Sequence, residues 1–135
     1  MPGMNVILAK GYQVQSAVTK FMVVKYGTAD QTCTAITGAN QVPLGVVQED
    51  ASAADVTKGR IVNVLQVGIA RCIAGAAITR GTRVGVGATG KVLPMVGTAG
   101  LVENTVGIAE MSAAADGDHI DVLLTIGVTT NTAAS

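Results

Sequence analysis

A seven-residue pattern occurs three times in this chain. It consists of a charged residue, glycine, two further residues, a β-branched aliphatic residue, any residue and valine, and it reads KGRIVNV at 58–64, RGTRVGV at 80–86 and DGDHIDV at 116–122. Glycine adopts turn conformations that other residues resist. The aliphatic residues three and five positions after it lie on one face of a strand. The pattern therefore predicts three similar turns, each leading into a strand that packs on a common core.

A longer repeat contains two of these patterns. Segments 44–68 and 106–127 share an order of strand, small-residue loop, glycine turn and long strand. The matching positions are Gly45 with Gly107, the Ser-Ala-Ala of 52–54 with that of 112–114, and Gly68 with Gly127. We interpret the segment 80–86 as part of a third copy. Repeated turn-to-strand units around one core are typical of a small closed barrel or of two packed sheets.

The composition favours the same fold class. Hydrophobic residues make up 49 % of the chain but aromatic residues only 2 %, so the core is built from Val, Ala, Ile and Leu, and 17 glycines separate short apolar runs. We predict a mainly β protein, either a small β-barrel or a two-layer sandwich-like domain, with short hairpins and at most one or two helical turns. The strongest strand signal covers 60–73, a hairpin is expected at 83–96, and one helical turn at 49–59.

The 135 residues suit one domain. We assign it to 1–128, with a possible N-terminal arm at 1–12 and a flexible tail at 129–135. Charge is uneven along this domain: no acid precedes Asp30, and no Lys or Arg follows Lys91. Two interpretations remain open. The charges line solvated strand faces, or a basic and an acidic surface meet in a head-to-tail oligomer or on a partner.

Metal, cofactor and membrane binding find no support in the sequence. Cys33 and Cys72 are 39 residues apart and His119 is the single histidine, so the close ligand set of a zinc site is missing. Two reduced thiols are favoured over a disulfide, which stays possible. No apolar run reaches the roughly 18 residues that span a bilayer. Three aromatic residues and zero net charge offer little to nucleic acid.

Catalysis is also not indicated. His119 lies in an alternating segment beside Asp118 and Asp121, which is typical of a solvated strand face. Lys91 follows a glycine-rich turn, as the modified lysine of lipoyl- or biotin-carrier barrels does, but without their tighter motif. We expect a protein that is not an enzyme, needs no cofactor and works through its surface.

The order of the motifs resembles a known family. The segments PLGVVQEDASAADVTKGRIVNVLQVG, AAITRGTRVGVGATGKVLP and TVGIAEMSAAADGDHIDVLLTIG follow one another as in the capsid cement, or head decoration, proteins of tailed bacteriophages. The resemblance covers roughly residues 8–128. It implies a decoration domain on the outside of the expanded head, where homotrimers at threefold and quasi-threefold positions clamp the major capsid proteins against the pressure of packaged DNA.

The resemblance also implies partners and a location. The partners are the major capsid protein and further copies of the chain, with no direct contact to nucleic acid or membrane, and the chain is made in the host cytoplasm. Two alternatives remain: another structural virion protein, such as a tail-tube or fibre-associated β module, and a small carrier or enzyme domain modified at Lys91.

The N-terminal stretch is the candidate contact region. Residues 1–12 are apolar, contain no acid and precede the repeat, so we place them at the capsid or at a neighbouring subunit; an ordinary edge strand is the alternative. The candidate interface residues are Asn5, Val6, Ile7, Leu8, Lys10, Tyr12, Lys20 and Lys25.

Overall fold

The computed structural model describes residues 5–95 and 102–130 of the chain. The described residues form nine strands in one sheet and a short helix. The elements in chain order are β1 (Asn5–Val14), β2 (Val23–Tyr26), β3 (Thr32–Ala35), β4 (Gly45–Val47), α1 (Ala53–Thr57), β5 (Ile61–Ile73), β6 (Arg83–Val86), β7 (Val92–Pro94), β8 (Val102–Ala109) and β9 (His119–Thr130).

Five strands close into a barrel. The order β1-β3-β2-β4-β5 returns to β1 because β1 pairs with both β3 and β5. The pairing of β1 with β3 is parallel and the other pairings are antiparallel. The interior is filled by the ring of Tyr12 and otherwise by small and medium side chains: Val14, Val18, Val24, Cys33, Leu44, Val47, Ala51, Val62 and Val64. This barrel confirms the predicted fold class.

A second set of five strands continues from the same β5. It runs β5-β9-β8-β6-β7, and a parallel bridge between Ala74 and Val92 brings the start of β7 back beside the residue that follows β5. Its interior includes Ala70, Cys72, Val84, Val106, Ala109, Ile120 and Val122. β5 therefore belongs to both sets: its first half lines the barrel and its second half lines the neighbouring core.

The two sets are built alike, pair by pair. Each set has an isolated antiparallel bridge in the same place. Each has a turn in which the backbone N–H of the fourth residue donates to the carbonyl O of the first. Each also joins its first strand to its third by a parallel pair. The corresponding pairs are Val18–Ala51 with Ile78–Ala113, Thr19–Met22 with Thr79–Thr82, and Val14–Cys33 with Ala74–Val92. The chain is a structural duplication that shares one strand.

The duplication corrects the predicted third copy. RGTRVGV at 80–86 enters β6, which occupies the place of β2 in the first barrel, and not the place of β5 or β9. Its counterpart is the segment 20–26, KFMVVKY. The three glycines of the pattern do share a local conformation, with positive φ at Gly59, Gly81 and Gly117. The pattern thus identified similar turns correctly and assigned one of them to the wrong strand.

The long repeat itself is supported by the strand register. Val47 pairs with Val64, and Ala109 pairs with Val122, as the match of Gly45 with Gly107 requires. The proposed match of Gly68 with Gly127 is wrong by one residue. The same register makes Val64 equivalent to Val122, and therefore Gly68 equivalent to position 126. Shared glycine identity misled the alignment there.

Most predicted elements occur at the expected places. β5, the β6–β7 hairpin and the helical turn at 53–57 agree with the sequence. β1 is one continuous strand from Asn5 to Val14, because its long antiparallel pairing with β5 continues through Gly11. β9 extends to Thr130, two residues into the expected tail. Positions 1–4, 96–101 and 131–135, which include parts of the predicted arm, hairpin and tail, lie outside the described residues.

Gly45 and Gly107 are predicted to be intolerant of a side chain. A Cβ at Gly45 would lie 2.5 Å from Leu65 O and 2.8 Å from Val64 Cγ1, and one at Gly107 would collide with Leu123 O. We expect Gly45→Ala and Gly107→Ala each to lower the free energy of unfolding by about 1–3 kcal/mol, because the strands must separate. Urea denaturation measures this. Gly127→Ala is the matched control, since its Cβ would meet nothing closer than 3.9 Å; an equal loss there would contradict the explanation.

The two thiols are predicted to be unreactive in the folded protein. Cys33 and Cys72 are free and buried, one in each core. Burial raises the pKa of Cys33 to about 11. Burial, with a smaller contribution from the Asp121 carboxylate, raises the pKa of Cys72. A thiol-specific reagent at pH 8 should modify neither group until denaturant is added, because the thiolate is the reactive form. Rapid modification of the native protein would contradict the buried positions.

Candidate interaction surface

The first half of β1 presents an apolar surface. The side chains of Ile7 and Leu8 are 71 % and 48 % exposed. The register of β1 against β5 shifts on both sides of Leu8, and these shifts leave Ile7 without a partner residue on β5. Such irregularities turn side chains away from their usual direction. Leu8 pairs with Val67, which is also exposed, so the apolar surface continues onto β5.

The same part of β1 also has an open backbone edge. One edge of β1 pairs with β5 from Asn5 to Gln13, interrupted only at Ile7, whereas the other edge pairs with β3 only at Gln13 and Val14. Within the described residues, no strand covers that second edge from Asn5 to Gly11. Unpaired N–H and C=O groups on an exposed edge are a template for another strand. The predicted contacts at Asn5, Val6, Ile7 and Leu8 therefore lie on an edge that is suited to a partner.

The other predicted residues do not gather at this edge. The ammonium of Lys10 lies 5.3 Å from the centre of the Tyr12 ring. Tyr12 itself is 6 % exposed and packs inside the barrel, so its ring contributes to stability and we leave it out of the surface. Lys25 Nζ donates to Thr37 Oγ1 at 3.1 Å. Lys20 precedes β2 and lies beside Phe21. Lys20 and Lys25 are candidate residues because of their charge, which does not fix their position in the sheet.

Phe21 occupies a conformation that the sequence did not reveal. Its φ is 72°, in the left-handed region where the second set has Gly81. The ring packs edge-on against His119 at 5.7 Å, and Lys20 Nζ lies 5.0 Å from its centre. The Phe21 O accepts a hydrogen bond from the Ile73 N–H at 3.3 Å. The residue thus ties the first barrel to the second half of β5, which accounts for the retention of a costly backbone conformation.

The acidic residues of the last third are mostly engaged within the chain. Asp116 Oδ1 accepts from Lys91 Nζ at 2.9 Å. Asp118 Oδ2 accepts from two backbone N–H groups of the preceding turn at 2.7 and 3.1 Å. Asp121 is buried, and its Oδ1 lies 3.8 Å from Arg71 Nε. These carboxylates leave little free negative charge, which weakens the interpretation of a complementary acidic end. The contact with Asp116 also favours a structural role for Lys91.

The connection 49–60 is held rigidly by its own polar groups. Ser52 and Asp55 form a capping box at α1. Arg60 reaches Asp55 at 3.4 Å and Glu49 at 3.1 Å. Hydrogen bonds from Ser52, backbone first, together with Arg60, lower the pKa of Asp55, so the cap weakens only as the pH falls through that lowered pKa. The connection that joins β4 to β5 is therefore held in one conformation on the barrel surface.

The described residues contain no group of three or more His, Cys, Asp or Glu side chains that could hold a metal ion. Within the same residues, no helix is long and apolar enough to cross a membrane. Chemically, the part of the chain that the structure describes offers apolar surface and open strand edges.

Comparison with known proteins identifies a similar fold. No protein-family profile matches the chain, and no curated protein matches it. Among solved structures, the chain is similar to the N base of head fiber gp8.5 from bacteriophage phi29, with a TM-score of 0.64 and 20 % sequence identity. The alignment covers 87 % of this chain and 93 % of that one. The two proteins therefore share a fold over most of the length of both chains.

Proposed function

We propose that this chain is a structural protein of a tailed-phage virion that attaches to the outside of the head. The observation that carries the proposal is the shared fold with the base of a phage head fiber, at a TM-score of 0.64 over 87 % of the chain. The order of the sequence motifs supports it independently, because it resembles head decoration proteins. The open edge and exposed apolar side chains of β1 supply the kind of contact that such attachment needs.

More specifically, we propose that the chain is a cement protein of the capsid. Homotrimers bind the expanded head at threefold and quasi-threefold positions and hold neighbouring major capsid proteins together against the internal pressure of DNA. No catalysis is needed for this work, since many modest contacts gain strength through symmetry and avidity. The chain has no enzymatic role in this scheme and takes no cofactor.

A second candidate is the base of a fibre mounted on the head. It is favoured by one observation, that the similar solved structure is itself the base of a head fiber. In this case the chain anchors an appendage instead of reinforcing the shell. Electron microscopy of decorated heads separates the two functions: a cement protein covers many equivalent lattice positions, whereas a fibre base carries a projecting structure.

The proposal predicts that the chain binds to phage heads. The purified chain, mixed with undecorated heads from its own source, should sediment with expanded heads in a saturable manner and should remain in solution with unexpanded heads. The expected stoichiometry for a cement protein is near one chain per capsid subunit. Binding to both forms alike would contradict a role linked to maturation, and binding to neither would remove the proposal.

The proposal also predicts that the exposed apolar side chains of β1 contact the head. Ile7→Ser and Leu8→Ser should each weaken head binding by about tenfold, because each removes apolar area that the contact buries. Ile61→Ser is the matched control, since Ile61 is 65 % exposed at the opposite end of the β1–β5 pairing. Occupancy on the head, measured by co-sedimentation, reports the effect. An equal loss for Ile61→Ser would show that β1 is not the contact.

A further inference from the structure

A row of four residues crosses the outside of the second strand set. Arg83 pairs with Ile108, Ile108 with Leu123, and Leu123 with Ile69, so the row runs over β6, β8, β9 and β5. Their chain neighbours Val84, Ala109, Val122 and Ala70 are buried in the core behind the row. Arg83 is exposed, Leu123 is 38 % exposed, and Ile108 and Ile69 are half-buried. We call these four residues the open row.

The first barrel has the same row in the same register. Val23 pairs with Val46, Val46 with Leu65, and Leu65 with Ala9. Here Val23, Val46 and Leu65 are at most 1 % exposed, because they pack into one cluster with the interior of the second set. One face of the repeat is therefore covered in the first copy and open in the second.

A turn of the second set contacts the Val23 end of the first row, and this contact indicates what fits the corresponding end of the open row. The turn between β6 and β7, residues 87–91, lies against β2: the Val23 N–H donates to Gly90 O at 2.8 Å. A Cβ on Gly90 would lie 2.8 Å from Val23 O, so the two backbones are in close contact. The counterpart of this turn in the first barrel joins β2 to β3 at 27–31, and Thr28, Ala29, Asp30 and Gln31 in it are exposed.

We propose that a second copy of this chain places its β2–β3 turn on the open row. The contact between two chains then repeats the contact that already joins the two strand sets within one chain. Each chain carries one open row and one free turn, so association is head-to-tail and produces a ring or a filament according to the angle between copies. This inference deepens the self-association that belongs to the proposed function, and it is tested without heads.

Charge complements the shape at this contact. Arg83 stands in the open row where the first barrel has Val23, and the free turn carries Asp30 near the place of Gly90. Opposite charges on the two surfaces steer encounter and fix register. The apolar side chains of Ile108, Leu123 and Ile69 supply the area that becomes buried.

Charge reversal tests the pairing. Sedimentation velocity over a series of concentrations, with the purified chain alone, should show reversible self-association. Arg83→Asp and Asp30→Arg should each weaken it by about tenfold, because like charges then face each other. The double variant should recover most of the loss, since the charges are again opposite. Lys58→Asp, the same charge change at an exposed residue outside the row, should leave association unchanged.

Two results would overturn the proposal. One is a chain that stays monomeric at every concentration. The other is a double variant that associates no better than the single ones. Either result leaves head binding measurable by co-sedimentation, so failure of this contact is distinguishable from failure of the proposed function.

Cross-linking locates the contact directly. A mixture of Asp30→Cys and Arg83→Cys chains, treated with oxidised glutathione, should form the mixed disulfide dimer faster than either variant alone. The native Cys33 and Cys72 are buried and should not take part. A mixture of Asp30→Cys with Lys58→Cys is the control. Equal rates in the two mixtures would place the contact elsewhere, even if the chain associates.

Discussion

β5 has to satisfy two sets of neighbours along one backbone. Val62 and Val64 fill the first barrel, and Ala70 and Cys72 fill the second core, all on alternate positions of a 13-residue strand. Because side chains alternate with period two, a slip of one residue would turn both sets of apolar side chains outward together. The register of β5 is thus fixed twice, and β1, β4 and β9 all pair directly with it.

Small side chains make this arrangement possible. A barrel of five strands has a narrow interior. Valine side chains fill this space, which is too small for several aromatic rings. The strands also approach closely: Gly45 and Gly107 leave no room for a Cβ beside the backbone of the neighbouring strand. The low aromatic content of the sequence, 2 %, is therefore a property of the fold and says little about binding.

The sequence predicted what depends on local pattern. Alternation and glycine turns indicated β5, the β6–β7 hairpin and the repeat of Gly45 at Gly107. It could not assign RGTRVGV to the place of β2, because its counterpart KFMVVKY has Phe21 where the pattern has glycine, and the match exists only in backbone conformation. The open row was also hidden: Arg83, Ile108, Leu123 and Ile69 are far apart in the chain and meet only through strand pairing.

The shared strand allows the first barrel to fold before the second. All residues of the first barrel precede Ala74, so this barrel is able to close during synthesis before the second half of the chain has appeared. Until then Val23, Val46 and Leu65 face water, although the finished protein buries them. A chain that has closed only its first barrel would therefore expose an apolar face, and the second half of another nascent chain is chemically the same as its own second half. Domain swapping between chains that are translated from the same mRNA is therefore a risk that comes with this fold.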